Sequence, residues 1–374
     1  MPATLAQVLG AVAVALEVPI REPLVDPAAA AAFEADFADL PHARHVVVCL
    51  IDGLGWHQLA EFATAAPTLH SGIGRALDSV FPTTTPTALA SLGTGLAPGS
   101  HGLVGATFVL PETGRILHPL HWGSDPHPRM VQPEPTMFER LIAAGVQATT
   151  VAPSAYADSG LTQAALRGPR YHGADTLDDR IRGVHDAVRQ SGKTVTYVYW
   201  PDLDRIGHRH GVGSAAWLAG LADADRLVAG LLSALVADAM LLVVADHGML
   251  TCPPTDRIDI ESHQDLVADV TEIAGEPRAR HVYVARGRQS AALERWRAVL
   301  DSRARVLSRA EIIESGVMGT VEPGIDERIG DIVAVPEGTW TLASAVDPRA
   351  SSLLGQHGGW TAQERAIPLI RFMN

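Results

Sequence analysis

Cysteine is scarce in this chain: among 374 residues only Cys49 and Cys252 occur. Two isolated thiols make no disulfide framework and their spacing suits no zinc knuckle, so nothing calls for an oxidising compartment. Lysine is scarcer still, Lys193 standing alone among 29 basic residues, a compositional bias that carries no functional weight. No basic run offsets the net charge of −13, which argues against a nucleic-acid backbone as partner. The opening stretch MPATLAQVLGAVAVALEVPIREP lacks a basic leader, and its apolar run is short for a membrane span. The expectation there is an amphipathic helix, and for the chain a cytoplasmic location. Repeats and low-complexity blocks are absent. With charged residues at 19% and hydrophobic residues at 47%, a large buried core is expected.

What the chain does have is apolar runs of strand length. HVVVCLI (45–51), TVTYVYW (194–200) and MLLVVA (240–245) read as strands buried on both faces, as in parallel sheets, and DIVAVP (331–336) reads as a fourth. Between them lie helical patterns. TMFERLIAAG (136–145) opens with Thr136 and Glu139 at capping-box spacing. SAAWLAGLADADRLVAGLLSALV (214–236) keeps an apolar stripe at helical period. This alternation predicts an α/β fold with a mostly parallel sheet covered on both faces. The segment 253–325, with a second capping box at Ser308 and Glu311, changes character and reads as an inserted cap. It divides a catalytic core into residues 1–252 and 326–374.

In open α/β sheets, ligands bind beyond the carboxyl ends of the strands. The first strand runs into Asp52; the second leads to Asp204 and His208, four residues apart; the third ends in Asp246 and His247. GQHGGW adds His357 between glycines. Singly, each acid is a common turn former or cap. Jointly, three Asp and three His at one crevice form a mixed oxygen and nitrogen set able to share two divalent ions. Such a set suits zinc, with manganese or iron as alternatives, and not calcium.

The stretch FPTTTPTALASLGTG holds three consecutive threonines before Pro86. Proline favours the first helical position, and a threonine before it can cap the helix. That pattern singles out Thr85 as N-cap, with Thr83 and Thr84 left open through a shifted helix start. A hydroxyl at a positive helix end beside two metal ions is a plausible nucleophile; without the metals it is only a cap.

The ordered set IDGLG, FPTTTPTALASLGTG, PGSHGLVG, DLDRIGHRHG, ADHGM and GQHGGW resembles the alkaline phosphatase superfamily, specifically its type I phosphodiesterase/nucleotide pyrophosphatase branch. The resemblance spans roughly residues 44–252 and 330–374. It implies an alkaline-phosphatase-like three-layer sandwich and two metal ions. One would be held by Asp204, His208 and His357, the other by Asp52, Asp246 and His247 with Thr85 bridging towards it. Counting back from Thr94-Gly95 in the family pattern also lands on Thr85. The implied activity is hydrolysis of a phosphodiester or pyrophosphate bond in a small phosphorylated substrate such as a nucleotide, through a covalent phosphothreonine.

The chain departs from the family where a phosphoryl-binding Asn is usual and Ala106 stands, and where Pro-Asn follows the nucleophile and Thr87-Ala88 stand. Loss of one such donor costs about two to three orders of magnitude in rate. His101, His118, His121, Arg115 and Arg129 are nearby replacements in principle, though surface roles suit most of them. A phosphomonoesterase or phosphonate hydrolase is therefore the alternative, and a non-catalytic metal-binding scaffold a weaker one, since all six ligands are present. Other branches fit less well: sulfatases need a Cys or Ser in a Cys-x-Pro-x-Arg segment, which is absent, and cofactor-independent phosphoglycerate mutases have a large inserted domain and a Ser nucleophile. Tyr199 and Trp200, at a strand end, read as a base-stacking wall or as core.

Overall fold

The run His45–Ile51 forms β1 and is buried along its whole length, because apolar side chains on both faces leave neither side suited to water. A computed structural model describes residues 4–20, 37 and 40–374. Its two larger sheets use β1, β2 (Ile73–Asp78), β3 (Gln147–Ala152), β4 (Arg170–Gly173), β5 (Thr194–Trp200), β6 (Ala239–Val244), β7 (Val270–Glu276), β8 (Ala279–Val284), β9 (Ala304–Ser308), β10 (Ile332–Pro336) and β11 (Ala366–Met373). The central sheet has the order β2-β11-β6-β1-β5-β3-β4. β6, β1, β5, β3 and β4 pair in parallel, while β11 runs antiparallel between β2 and β6. His45 pairs with Thr194 on one side and Ala239 on the other, so the carboxyl ends of the three central strands lie level.

Two sets of helices flank this sheet. α1 (Val8–Ala15), α2 (Thr85–Thr94), α3 (Met137–Ala143) and α4 (Gly160–Ala165) pack together, as do α5 (Leu177–Ala187), α6 (Asp202–His210) and α7 (Ala215–Ala234). The capping boxes expected at Thr136 and Ser308 both form. Helix α1 corrects one expectation. Every residue of it but Val14 is buried, so it is a core helix rather than an amphipathic one; the ends of the quoted stretch, 1–3 and 21–23, lie outside the described residues. Among the described residues no helix is long and apolar enough to cross a membrane, and Cys49 and Cys252 are free and buried.

The second sheet is antiparallel, in the order β7-β8-β10-β9. Its strand β10 is the DIVAVP run, which is thus not a strand of the parallel sheet. Alternation explains the misreading. Ile332 and Ala334 face a small core built around Trp296 of α8 (Gln289–Leu300), while Val333 and Val335 face the main core. Both faces are buried, as in a parallel strand, but by two different cores. We take the inserted unit to reach at least to this strand, past residue 325.

Two buried arginines, Arg278 and Arg280, join the insertion to the returning core. Arg278 makes paired bonds of 3.0 and 2.8 Å to the Glu364 carboxylate, and both side chains are fully buried. Glu364 also accepts from Gly359 N at 2.8 Å and closes a capping box with Thr361. Arg280 reaches Asp347 at 2.7 and 2.9 Å. Removing one partner of such a pair strands a buried charge, so Arg278→Ala should cost about 3–5 kcal/mol in urea unfolding, and Arg278→Met with Glu364→Gln much less.

Burial holds two further histidines neutral: it drives the pKa of His101 down to about 3 and of His281 down to about 4, from 6.5. The unfolded chain binds these protons first, so their stabilisation is complete above pH 6.5 and is lost as pH falls towards the folded values. Unfolding free energy should drop by about 1 kcal/mol per histidine between about pH 7 and 5.5. A His101→Gln variant should show a shallower fall than the parent.

Candidate active site

The level ends of β1, β5 and β6 bring their acids together. Asp52 follows β1, Asp246 follows β6, and Asp204 sits in the first turn of α6 after β5. Gly53 permits this approach: it has φ +76, and a Cβ there would come within 3.0 Å of Asp204 Cβ. Each acid has one oxygen in use. Tyr199 Oη donates to Asp52 Oδ2, Gly53 N and His247 N donate to Asp246 Oδ1 at 3.1 and 3.0 Å, and Asp204 Oδ2 lies 3.3 Å from His208 Nε2. The other oxygens, Asp52 Oδ1, Asp204 Oδ1 and Asp246 Oδ2, are buried and accept no hydrogen bond among the described residues.

The three histidines share one arrangement. His208 Nδ1 donates to Gly355 O at 2.7 Å, His247 Nδ1 to Gly248 O at 3.0 Å, and His357 Nδ1 to Thr83 O at 2.9 Å. A proton fixed on Nδ1 leaves Nε2 with a free lone pair, and second-shell bonds of this kind orient metal-binding imidazoles. The Nε2 atoms of His208 and His357 face each other at 3.3 Å. Two lone pairs at that separation repel unless a proton on His208 or a metal ion lies between them.

The groups suited to an ion are Asp204 with His208 and His357, and Asp52 with Asp204 and His247. The first is the set expected from sequence. In the second, Asp204 takes the place expected for Asp246, which stays close, its Oδ2 3.4 Å from His247 Nε2. Partnerless buried carboxylate oxygens converging with imidazole nitrogens are what two divalent ions would satisfy, and the donor set fits them.

The electrostatics agree. Burial, then the neighbouring Asp246 and Asp204, push Asp52 well above the usual carboxylate range. Burial opposes charge on both Asp204 and His208, yet their mutual attraction holds Asp204 low and raises His208 to about 9. The pocket stabilises positive charge at this point.

The three threonines hold three different positions. Thr84, with extended backbone at φ −133 and ψ 144, is the N-cap residue of α2, and Thr85 is the first helical residue. This shifts the expected cap by one position, because the helical backbone begins before Pro86 and not at it. Thr83 bonds Gly359 O and Gly358 N, each at 3.0 Å, tying down the loop of His357. Thr84 donates to Glu276 Oε2 at 3.3 Å. The Thr85 hydroxyl, released from capping, lies 3.2 Å from His247 Nε2.

A cavity of about 880 Å3 opens over these groups. Ala106 lines it, as do His118 and His121, but His101 does not; His101 bonds Ser91 at 2.8 Å in the interior. Arg129 pairs with Glu139 at 2.6 Å, and Arg115 is exposed near Asp125. Tyr199 lines the cavity and holds Asp52, whereas Trp200 packs under the Arg180 guanidinium.

Glu276 carried no signal in the sequence. It is the last residue of β7, in the insertion, and burial raises it to about 8. Its carboxylate fills the space beside Gly358, where a Cβ would come within 2.6 Å. Only tertiary contact carries it to the site.

The type I phosphodiesterase / nucleotide pyrophosphatase family matches residues 46–360 of the sequence. The chain belongs to that family. As a type I phosphodiesterase/nucleotide pyrophosphatase relative it is a metal-dependent hydrolase. Among solved structures it is similar to murine ectonucleotide pyrophosphatase / phosphodiesterase 5, with a TM-score of 0.71 and 21% identity over 87% of each chain. An inactive threonine-to-alanine variant of that murine protein, in complex with AMP, gives 0.71 and 20% over 87% of each. Phosphonoacetate hydrolase from Sinorhizobium meliloti 1021, in complex with phosphonoformate, gives 0.67 and 20% over 88% of this chain and 90% of that one. At these identities the likeness speaks to the fold alone, a mostly parallel α/β sheet flanked by helices. No curated protein matches by sequence.

Asp204 belongs to both candidate ion groups and His208 to one. Metal analysis of purified variants should therefore find His208→Ala short of one equivalent and Asp204→Asn short of at least that one.

Proposed function

We propose that the chain hydrolyses phosphodiester or pyrophosphate bonds of small phosphorylated substrates, nucleotides foremost, with Thr85 as nucleophile. The observation that carries this reading is the convergence of three imidazole Nε2 atoms and three partnerless carboxylate oxygens beside the Thr85 hydroxyl. Asp204, His208 and His357 would hold one ion; Asp52, Asp246 and His247 the other, with Thr85 beside it. Mixed nitrogen and oxygen donors favour Zn2+. When bound, the ions supply Lewis acidity to the phosphoryl oxygens and make the threonine hydroxyl and water ionisable at neutral pH.

The remaining work falls to the chain. Thr85 Oγ, held at the amino end of α2, forms the new bond to phosphorus while the bond to the leaving oxygen breaks. The helix end favours the anionic group at that point. Water then displaces Thr85 from phosphorus and restores the hydroxyl. Tyr199 and the backbone donors to Asp246 hold the carboxylates in place. The cavity volume of about 880 Å3 lies within the usual range for a drug-sized ligand. The cytoplasm suits a chain with free thiols.

Ala106 at the cavity wall supports a second reading, phosphomonoesterase or phosphonate hydrolase, because the family's side-chain amide is missing from that position. Turnover of bis-p-nitrophenyl phosphate, p-nitrophenyl phosphate and phosphonoacetate by one preparation separates the two. A diester preference is expected, and a monoester or phosphonate preference would transfer the function to the second reading. Thr85→Ala should lower the rate on the best substrate by at least about a thousandfold while metal content persists. Chelation should abolish activity, and zinc should restore it.

A further inference from the structure

The mouth of the cavity carries charge that its own walls do not neutralise. Of the outer carboxylates lining it, Asp175 accepts from Ser154 N and Oγ at 2.9 and 2.8 Å, Asp202 pairs with Arg205, and Asp347 is bound by Arg280. Each is engaged. Arg209 and Arg349 also line the cavity and are exposed, and among the described residues neither guanidinium has a hydrogen-bond or ion-pair partner. Free arginines at the entrance to a candidate metal site are notable in a chain of net charge −13, where carboxylates are abundant enough to pair them.

Their position within the mouth is defined. Arg209 follows His208 directly. Arg349 lies in the short helix Pro348–Ser352, and the chain leaving that helix is fastened to the same histidine: Leu354 N donates to His208 O at 2.9 Å, and His208 Nδ1 to Gly355 O at 2.7 Å. Both arginines therefore belong to the side of the site formed by Asp204, His208 and His357. Thr85 touches the other side, at His247. In-line attack by Thr85 expels the leaving group away from itself, towards the side of Asp204, His208 and His357.

We infer that Arg209 and Arg349 select substrates whose leaving group carries a further anionic oxygen group, phosphate or carboxylate. This rests on the hydrolase reading above and specifies its substrate class. Guanidinium forks match both groups in geometry and charge. On this inference a nucleoside triphosphate, releasing pyrophosphate, is a better substrate than an ester whose phenolate leaving group carries no further anionic group.

The test uses the metal-loaded enzyme and three thymidine 5′-phosphate derivatives: the triphosphate, the 4-carboxyphenyl ester and the p-nitrophenyl ester. In wild type, kcat/KM for the triphosphate should exceed that for the p-nitrophenyl ester and should fall more steeply with salt. In the R209A/R349A double variant the ratio of the two should drop by about tenfold or more. A matching drop for the carboxyphenyl ester assigns recognition to any anion, and a drop confined to the triphosphate assigns it to phosphate. Cleavage of all three with an unchanged ratio overturns this inference alone, as does a wild-type preference for the p-nitrophenyl ester. Cleavage of none overturns the hydrolase reading and this inference with it.

Discussion

Three carboxylates face one another at the carboxyl edge of the central sheet, each with a buried oxygen that nothing in the described chain satisfies. Like charges out of water repel strongly, and an isolated buried carboxylate is costly. Much of the surrounding structure offsets that cost. Tyr199 and backbone N–H groups take one oxygen each of Asp52 and Asp246, and Gly53 lets the turn after β1 approach the first turn of α6. What remains unpaired is directed at a common point. The arrangement makes physical sense around cations, and the three imidazoles, each with its proton held on Nδ1 by a carbonyl, complete it.

The second sheet takes part in this geometry. It turns one face to the main core and the other to Trp296, and the β7–β8 hairpin sends Glu276, Arg278 and Arg280 back towards the site. Arg278 fixes Glu364, Glu364 fixes Gly359, and Thr83 fixes both Gly358 and Gly359. His357 hangs from this loop, so its Nε2 is positioned by residues far apart in sequence. A buried ion pair of this kind adds little net stability over an apolar equivalent; its contribution here is to hold one shape.

The same division explains the threonine run. A proline after three threonines announces a helix start, but one residue of register decides which hydroxyl reaches Glu276 from the N-cap position, which braces a loop and which is left facing an imidazole. Hydrogen-bond geometry resolves that register, and residue identity does not.

The fold class was legible because buried parallel strands need apolar residues on both faces, and because a sheet of this kind collects its ligands at one edge. Asp52, Asp204, His208, Asp246, His247 and His357 could be named from that rule and from the motif order before any contact was known. DIVAVP misled for a physical reason: a strand covered by two separate cores has the same pattern as one buried within a single sheet. Glu276, Tyr199 as the holder of Asp52, and the unpaired arginines of the cavity mouth left no local trace, since each acquires its meaning from what does or does not stand beside it in space. The sequence alone determined which carboxylates, imidazoles and hydroxyls stand at the strand and helix ends; the tertiary structure decided which oxygens were left without partners and which charges without counterions, because burial and pairing are properties of neighbours in space.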